Sequence, residues 1–248
     1  MPTVTIPSRF NGPRASGNGG YSCGVIAAAL DGPTAVSLRL PVPLDQELAL
    51  RHEDDGKVCA FRDDKLIAEA VPAAPLSAWD GPLPSLDEAR AGRERYAAPP
   101  DGEFGHCFVC GRSRADGFHL FSGPIAGADL VASPWSPPAW AAGDDGLVRP
   151  EFVWAALDCP GFFALHGAAM TIAYLARQQV EILAPVHAGV EYVVVGRPLE
   201  RSGRKGLAAT AVLDPDGTVI AHGECLLITP RASPPAAADV TRKRGYFV

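Results

Sequence analysis

The chain has 248 residues, a formal net charge of −6 and 47% hydrophobic residues, which describes a globular protein with a sizeable core in one large or two small domains. The acidic balance argues against general nucleic-acid binding, because that normally needs a basic face. The start, MPTVTIPSRF, lacks the features of a signal peptide, and no apolar run has the length of a membrane span. We therefore expect a cytoplasmic protein without a membrane partner, and we expect its six cysteines to be reduced.

The first part of the chain predicts one helix followed by about four antiparallel strands. After an irregular start, Asn18-Gly19-Gly20 opens an apolar helical segment. Four short runs rich in valine, leucine and isoleucine follow, with Asp55-Gly56 as a tight-turn signal between two of them. We assign residues 1–75 to an N-terminal repeat.

A linker separates this repeat from the rest of the chain. Residues 76–103 are dominated by proline, alanine and glycine, and their charged piece DEARAGRER predicts one or two exposed helical turns. Next comes HCFVCGRSRADGFHLF, in which Cys107 and Cys110 have half the spacing of a zinc site. No second Cys-x-x-Cys or His-x3-His pair accompanies them, so we expect reduced cysteines and no metal.

The segment Pro150–Gly167, PEFVWAALDCPGFFALHG, predicts a core helix with one acid inside it. Apart from Glu151 at its start, Asp158 is its only carboxylate. An unpaired buried carboxylate is costly, so Asp158 either has neutralising partners or faces a cavity and takes part in chemistry. Pro160 predicts a kink or a new helix start, in which case Asp158 could instead be a helix N-cap.

The last part of the chain repeats the pattern of the first. Ser37–Leu50 corresponds to Val180–Val194, each being a strand, a Pro-Val pair and a second strand, and two further strands follow in both cases. A repeat of roughly 140 residues indicates a duplicated domain rather than a solenoid. We assign residues 104–232 to a C-terminal repeat and residues 233–248 to a tail.

These features resemble the hotdog fold, in which a sheet wraps around a central helix. The second repeat shows the resemblance best: an acid-bearing helix is followed by APVHAG, by Gly203-Arg204-Lys205 and by DPDGTVIAHGE. The first repeat shows it in the helix entrance NGGYSCG. Together, over residues 10–72 and 104–230, they resemble the double-hotdog acyl-CoA thioesterases. The resemblance implies an α+β double hotdog, in which two helix-plus-antiparallel-sheet repeats form one continuous sheet around two central helices.

The resemblance also implies a site between the two repeats. In hotdog thioesterases, backbone N–H groups at a helix N-terminus of one half face the thioester carbonyl, and a carboxylate on the other half's helix activates water or attacks directly. Here Gly19 and Gly20 would form the oxyanion hole, and Asp158 would be the general base or the nucleophile. Counting seven residues on from Gly20 gives Ala27, so the first helix has no acid that matches Asp158. Counting seven residues back from Asp158 gives Glu151, so the second helix has no glycine entrance. The sequence therefore predicts one complete site and one that has lapsed.

Further residues are candidates for substrate binding close to these helices. Asn18, the expected N-cap, and also Tyr21 and Ser22 could hydrogen-bond the acyl carbonyl or the attacking water. His166 lies eight residues past Asp158 and could orient water or a thioester, although a histidine at a helix end is also a partner of the helix dipole.

A basic group in the second repeat is a candidate for the phosphates of coenzyme A. It consists of Arg197, Arg201, Arg204 and Lys205. Guanidinium groups pair well with phosphates, and a solvated charged hairpin is the other interpretation of the same residues.

Three functions remain open at this point. The first is hydrolysis of an acyl-CoA or acyl-carrier thioester, with coenzyme A entering only as part of the substrate and no separate cofactor. The second is a dehydratase or hydratase acting on a CoA thioester, which usually pairs a histidine with the acid, and no histidine lies in either helix entrance. The third is an inactive acyl-CoA-binding or scaffold protein. A homodimer of double hotdogs is compatible with each of them.

Overall fold

In a computed structural model, which describes residues 1–167 and 172–231, the chain forms one antiparallel sheet of eleven strands with helices packed against it. The strands are β1 Thr3–Thr5, β2 Thr34–Leu38, β3 Glu47–His52, β4 Val58–Arg62, β5 Lys65–Pro72, β6 Gly123–Pro124, β7 Val131–Trp135, β8 Tyr174–Ile182, β9 Tyr192–Ser202, β10 Lys205–Leu213 and β11 Val219–Ile228. The helices are α1 Gly19–Ala27, α2 Leu86–Glu94, α3 Pro150–Ala156 and α4 Cys159–His166. None of these helices is both long and apolar enough to cross a membrane.

The strand order shows the duplication directly. The sheet runs β1-β3-β4-β5-β2-β8-β11-β10-β9-β7-β6, so β3-β4-β5-β2 of the first repeat is matched by β9-β10-β11-β8 of the second. The two halves join where β2 pairs antiparallel with β8, with Val36 opposite Gln178. This junction confirms the predicted edge-to-edge joining of two four-stranded sheets into one continuous sheet.

Helix α1 packs closely against α3 because glycines stand at the contact. A Cβ added to Gly20 would lie 2.6 Å from the Trp154 carbonyl oxygen, and one added to Gly24 would lie 2.6 Å from Cα of Glu151. Any larger side chain at these two positions would push the helices apart, since backbone atoms cannot yield as a flexible side chain can. The spacing of the two glycines therefore sets how near the acid-bearing segment comes to α1.

The predicted single helix over Pro150–Gly167 is two helices. Helix α3 ends at Ala156, Leu157 and Asp158 form a turn in which Leu157 departs from helical dihedral angles, and α4 begins at Cys159. Pro160 explains the break, because it has no N–H to bond the carbonyl four residues back and its ring would collide with that carbonyl. Of the two outcomes that the proline predicted, a kink or a new helix start, the chain has the second.

The linker is more ordered than its composition predicts. Helix α2 is nine residues long and begins with a capping box, in which Ser85 and Glu88 satisfy each other's backbone N–H groups. Ala89 and Gly92 are buried, and a Cβ on Gly92 would lie 2.9 Å from the Ala132 carbonyl oxygen in β7. The charged piece is thus helical as predicted, but the helix is longer than two turns and its small-residue face packs on the sheet instead of being exposed.

The cysteine-bearing segment before β6 is built from turns. Between Phe104 and Phe121 the described chain contains turns and bends without a helix or strand. The side chains of Phe108 and Phe118 are nonetheless buried in the main core beside those of α1 and α3. The predicted tail, residues 233–248, lies outside the described residues.

Candidate functional site

The N-terminus of α1 forms one wall of the site. Asn18 is its N-cap, and the Asn18 side-chain oxygen accepts a hydrogen bond of 2.9 Å from the Tyr21 N–H. The first N–H groups of a helix have no partner within the helix and carry its positive partial charge. The Gly19 N–H makes no hydrogen bond within residues 1–167 and 172–231, so it remains available to an acceptor in the site.

The break between α3 and α4 forms the opposite wall and is held by side chains from the second repeat. Thr210 donates a hydrogen bond of 2.9 Å to the Leu157 carbonyl, and the Cys225 thiol donates to the same oxygen over 3.2 Å. The Gln178 amide donates to the Trp154 carbonyl over 3.1 Å. These bonds satisfy carbonyls that the broken helix leaves without partners.

We expect Thr210→Val to destabilise the protein, because valine keeps the shape of threonine but cannot donate to the Leu157 carbonyl. Thr210 is fully buried, so the free energy of unfolding should fall by roughly 1–3 kcal/mol, the usual effect of removing one partner of a buried hydrogen bond. Denaturant unfolding would measure this. Thr5→Val on the exposed strand β1 is the control and should change stability by no more than about 0.5 kcal/mol. Equal stability of the two variants would contradict the bracing role of Thr210.

Asp158 spans the gap between the two walls. Its Oδ2 atom accepts a hydrogen bond of 2.9 Å from the Gly20 N–H and one of 3.2 Å from the Asn18 amide. Although Asp158 occupies the N-cap position of α4, its side chain makes no capping bond there. The side chain is therefore aimed at α1 across the repeat boundary, and the interpretation of Asp158 as a helix cap fails.

Burial controls the protonation of Asp158. The pKa of this carboxyl is raised to about 7, chiefly because the group is removed from water and in smaller part by a negative charge on Cys107, while the Gly20 N–H acts in the opposite direction. The Asn18 amide lowers it. Both hydrogen bonds go to Oδ2, which leaves Oδ1 without a donor among the described residues.

A cavity of about 670 Å³ lies beside this carboxylate. The first repeat contributes the loop before α1, together with Asn18 and Gly19, and the second repeat contributes Asp158 and the apolar side chains of Phe162 and Leu175. The volume is in the range of cavities that bind small organic ligands. Residues that are distant in sequence thus surround one space, with an acid on one side and a helix N-terminus on the other.

Three cysteines form part of the same wall. Cys107, Cys110 and Cys159 line the cavity, and their sulfur atoms all lie within 4.8 Å of one another. Hydrogen bonds from the Cys110 and Cys159 thiols hold the pKa of the Cys107 thiol well below its usual range. The Asn18 amide also points at the Cys107 sulfur, over 3.8 Å. Sequence reasoning had paired only Cys107 with Cys110, although a third cysteine next to the buried acid was visible in the sequence.

Three of the predicted binding residues lie outside this cavity. Tyr21 is buried among Phe10, Phe108 and Phe152, and burial raises the pKa of its hydroxyl to about 12. Ser22 is fully buried in α1. His166 is at the end of α4 with its ring 5.1 Å from that of Phe162, and burial together with Arg201 lowers its pKa. We therefore leave all three out of the proposed site.

The four basic residues predicted to bind phosphate do not line the cavity either. Arg197 forms an ion pair with Asp80. Arg201 donates to the carbonyls of Ala164 and Leu165, where it binds the last turn of α4. Arg204 lies in the β9–β10 turn and Lys205 is the first residue of β10, and Arg204 donates to the Thr229 carbonyl over 2.7 Å. The basic side chains at the cavity are instead Arg14 and Arg39, which no sequence motif had marked.

Comparison with known proteins assigns the fold. No family model matches the chain, and no curated protein is similar to it in sequence. Among solved structures, it is similar to a conserved hotdog-fold protein of unknown function from Alicyclobacillus acidocaldarius, with 12% identity, 93% of each chain covered and a TM-score of 0.60. A putative thioesterase II from Thermobifida fusca gives 14% identity, 92% coverage of each chain and a TM-score of 0.58.

A third similar structure is the tesB protein of Mycobacterium avium subsp. paratuberculosis, with 14% identity, 85% of this chain and 84% of that chain covered, and a TM-score of 0.52. Likeness at this level of identity concerns the fold. Because the matches extend over both repeats, they confirm that the chain is a double hotdog.

Proposed function

We propose that this protein hydrolyses a thioester of the acyl-CoA class. The observation that carries the proposal is the position of Asp158, a buried carboxylate that meets the N-terminus of α1 at the wall of a cavity between the repeats. The names of two similar structures, a putative thioesterase II and a tesB protein, favour the same reaction. The absence of a histidine from the described cavity lining favours hydrolysis over dehydration or hydration.

In the proposed reaction, the acyl group occupies the cavity with its carbonyl oxygen at the Gly19 N–H alone, because the Gly20 N–H, which was also predicted for the oxyanion hole, donates to Asp158. That N–H stabilises the negative charge that develops on the oxygen when the carbonyl is attacked. Asp158 receives a proton from the attacking water through Oδ1 while its Oδ2 is held by Gly20 and Asn18. The water oxygen bonds to the carbonyl carbon, the C–S bond breaks, and Asp158 returns the proton to the leaving thiolate. The apolar side chains of Phe104, Phe162 and Leu175 would contact the acyl chain. Attack on the carbonyl by Asp158 itself, through an anhydride, uses the same geometry.

The direct test is thiol release from a panel of acyl-CoA thioesters of different chain lengths. Hydrolysis of at least one thioester, saturable in substrate, is the expected result. A change in the absorbance of an enoyl thioester without thiol release would identify a hydratase instead. Binding of acyl-CoA without turnover of any substrate in the panel would show an acyl-binding protein and would refute the proposal.

We further propose that Arg14 and Arg39 contact the phosphates of the carrier at the mouth of the cavity. Arg14 is exposed, and Arg39 is also exposed and is held by Glu69. Replacement of either arginine by glutamine should raise KM for an acyl-CoA roughly fivefold, corresponding to about 1 kcal/mol for a solvent-exposed charge pair.

Steady-state kinetics on two substrates would test these arginines. The KM for an acyl-N-acetylcysteamine thioester, which has no phosphate, should not change in either variant. Arg204→Gln is the matched control and should leave both KM values as in the wild type, because Arg204 does not line the cavity. If Arg204→Gln raised KM for acyl-CoA and neither Arg14→Gln nor Arg39→Gln did, the phosphates would bind at the basic residues predicted from the sequence and not at Arg14 and Arg39.

A further inference from the structure

The group of three cysteines has a geometry that the proposed hydrolysis does not use. Cys107, Cys110 and Cys159 are free thiols with exposed fractions of 1%, 3% and 7%. The sulfur atoms of Cys107 and Cys159 are 3.9 Å apart, and all three sulfurs lie within 4.8 Å of one another. Buried cysteines commonly act as small apolar side chains, but such packing does not require three sulfurs to converge on one point.

The chain forms a tight turn to place the first two of these sulfurs. The Gly111 N–H donates over 2.8 Å to the Cys107 carbonyl and closes the turn. A Cβ on Gly111 would lie 2.5 Å from the Gly105 carbonyl oxygen, so only glycine fits there. The Phe108 N–H is bonded to the Asn11 carbonyl over 3.0 Å, which ties the turn to the N-terminal segment. Both cysteines are therefore held before any ligand arrives.

The third sulfur comes from the helix break. Cys159 is the first residue of α4, and the break that orients Asp158 also turns Cys159 towards Cys107. Residues 107 and 159 are thus brought together by the packing of the turn against the start of α4. The three cysteines all line the cavity, so one side of the cluster faces open space.

We propose that Cys107, Cys110 and Cys159 bind one thiophilic divalent metal ion of the Zn²⁺ type, with the fourth coordination position directed into the cavity. A tetrahedral zinc ion with Zn–S bonds of about 2.3 Å separates its sulfurs by roughly 3.8 Å, close to the spacing of Cys107 and Cys159. Binding releases the thiol protons, since the ligands are thiolates. Soft thiolate ligands select zinc or copper(I) over magnesium or calcium.

This proposal departs from the expectation drawn from the sequence. Zinc was not expected because Cys107 and Cys110 lacked a second pair of ligands. Cys159 supplies a third ligand from a distant part of the chain, and three protein ligands with one open position are sufficient for zinc. The proposal is independent of thioester hydrolysis, and it is tested by metal content rather than by turnover.

The test is to load the reduced full-length protein with Zn²⁺, remove loosely held ions with a weak chelator and measure zinc by elemental analysis. About one zinc per chain is expected. Cys107→Ser, Cys110→Ser and Cys159→Ser should each lower the retained zinc at least tenfold. Cys59→Ser, at a buried cysteine of β4 outside the cluster, is the matched control and should retain zinc like the wild type.

A second measurement needs no variant and so does not depend on whether the variants fold. Substitution by Co²⁺ should give sulfur-to-cobalt charge-transfer absorption with the intensity of three thiolate ligands. Retention of less than about a tenth of a zinc per chain by the wild type would overturn the proposal. So would equal zinc content in Cys159→Ser and wild type, or cobalt spectra without thiolate charge transfer.

Discussion

Asp158→Asn should lower kcat by roughly 10²–10⁴, the usual effect of losing a general base, and should leave the fold intact. The asparagine side-chain oxygen can still accept from the Gly20 N–H and the Asn18 amide, so the contact between the repeats is kept. Because an amide avoids the cost of burying a charge, the melting temperature should be unchanged or higher. Substrate affinity should change little, since it depends on the acyl cavity and the phosphate contacts.

The informative measurement is the rate of the Asn variant beside its melting temperature. Asp45→Asn is the matched control: Asp45 accepts a hydrogen bond from the Ser8 N–H at an exposed position away from the cavity, so activity should be retained. Full thioesterase activity in Asp158→Asn would reject the proposed mechanism. Loss of activity together with a large fall in melting temperature would also count against it, because Asp158 would then be acting mainly as a structural residue.

Gly20→Ala should damage both stability and activity. The added Cβ would lie 2.6 Å from the Trp154 carbonyl oxygen and 2.7 Å from Cβ of Asp158, so α1 and the helix break must separate. Overpacking of this kind typically costs roughly 1–3 kcal/mol of unfolding free energy, even though alanine is the better helix former. A displacement of the carboxylate on the order of 1 Å can lower the rate roughly 10²-fold.

Denaturant unfolding and thioesterase kinetics on the same preparation would test this. Gly143→Ala is the control, because a Cβ there would meet only the Asp145 side chain, and at 3.1 Å. The control should keep wild-type rate and stability to within about 0.5 kcal/mol. Wild-type behaviour of Gly20→Ala would mean that the close contact between α1 and α3 is not what positions Asp158.

The two expected effects differ in kind, which makes the pair useful. Asp158→Asn removes a chemical group and keeps the packing, whereas Gly20→Ala keeps the group and moves it. A low rate in both variants, with lowered stability only in Gly20→Ala, would show that both the carboxylate and its position relative to the N-terminus of α1 matter for turnover.

Several features could be predicted from the sequence because they depend on local pattern or on composition. The strands follow from short apolar runs between turn signals, and the duplication from the matched Pro-Val pairs at Pro41-Val42 and Pro185-Val186. The break in the central helix follows from Pro160, whose effect on the backbone is local. Asp158 was noticeable because it is the one carboxylate within an apolar segment that had to be buried.

Other features depend on which residues the fold brings together, and there the sequence was insufficient. Thr210 and Gln178 brace the helix break from β10 and β8, and neither residue belongs to a sequence motif. The placement of Arg197 and Arg201 was misjudged because the register of β9 against β10 shifts between these two residues, and their side chains reach different partners.

By itself, the sequence determined an α+β chain of two repeats, a glycine entrance to the first helix and a buried acid in the second repeat. Only the tertiary structure decided that the acid meets the Gly20 N–H across the repeat boundary and that Cys159 joins Cys107 and Cys110. The physical reason is that strand period, turns and proline breaks act over a few residues. The meeting of residues 20 and 158, or 107 and 159, depends instead on how closely the helices pack and where β2 joins β8.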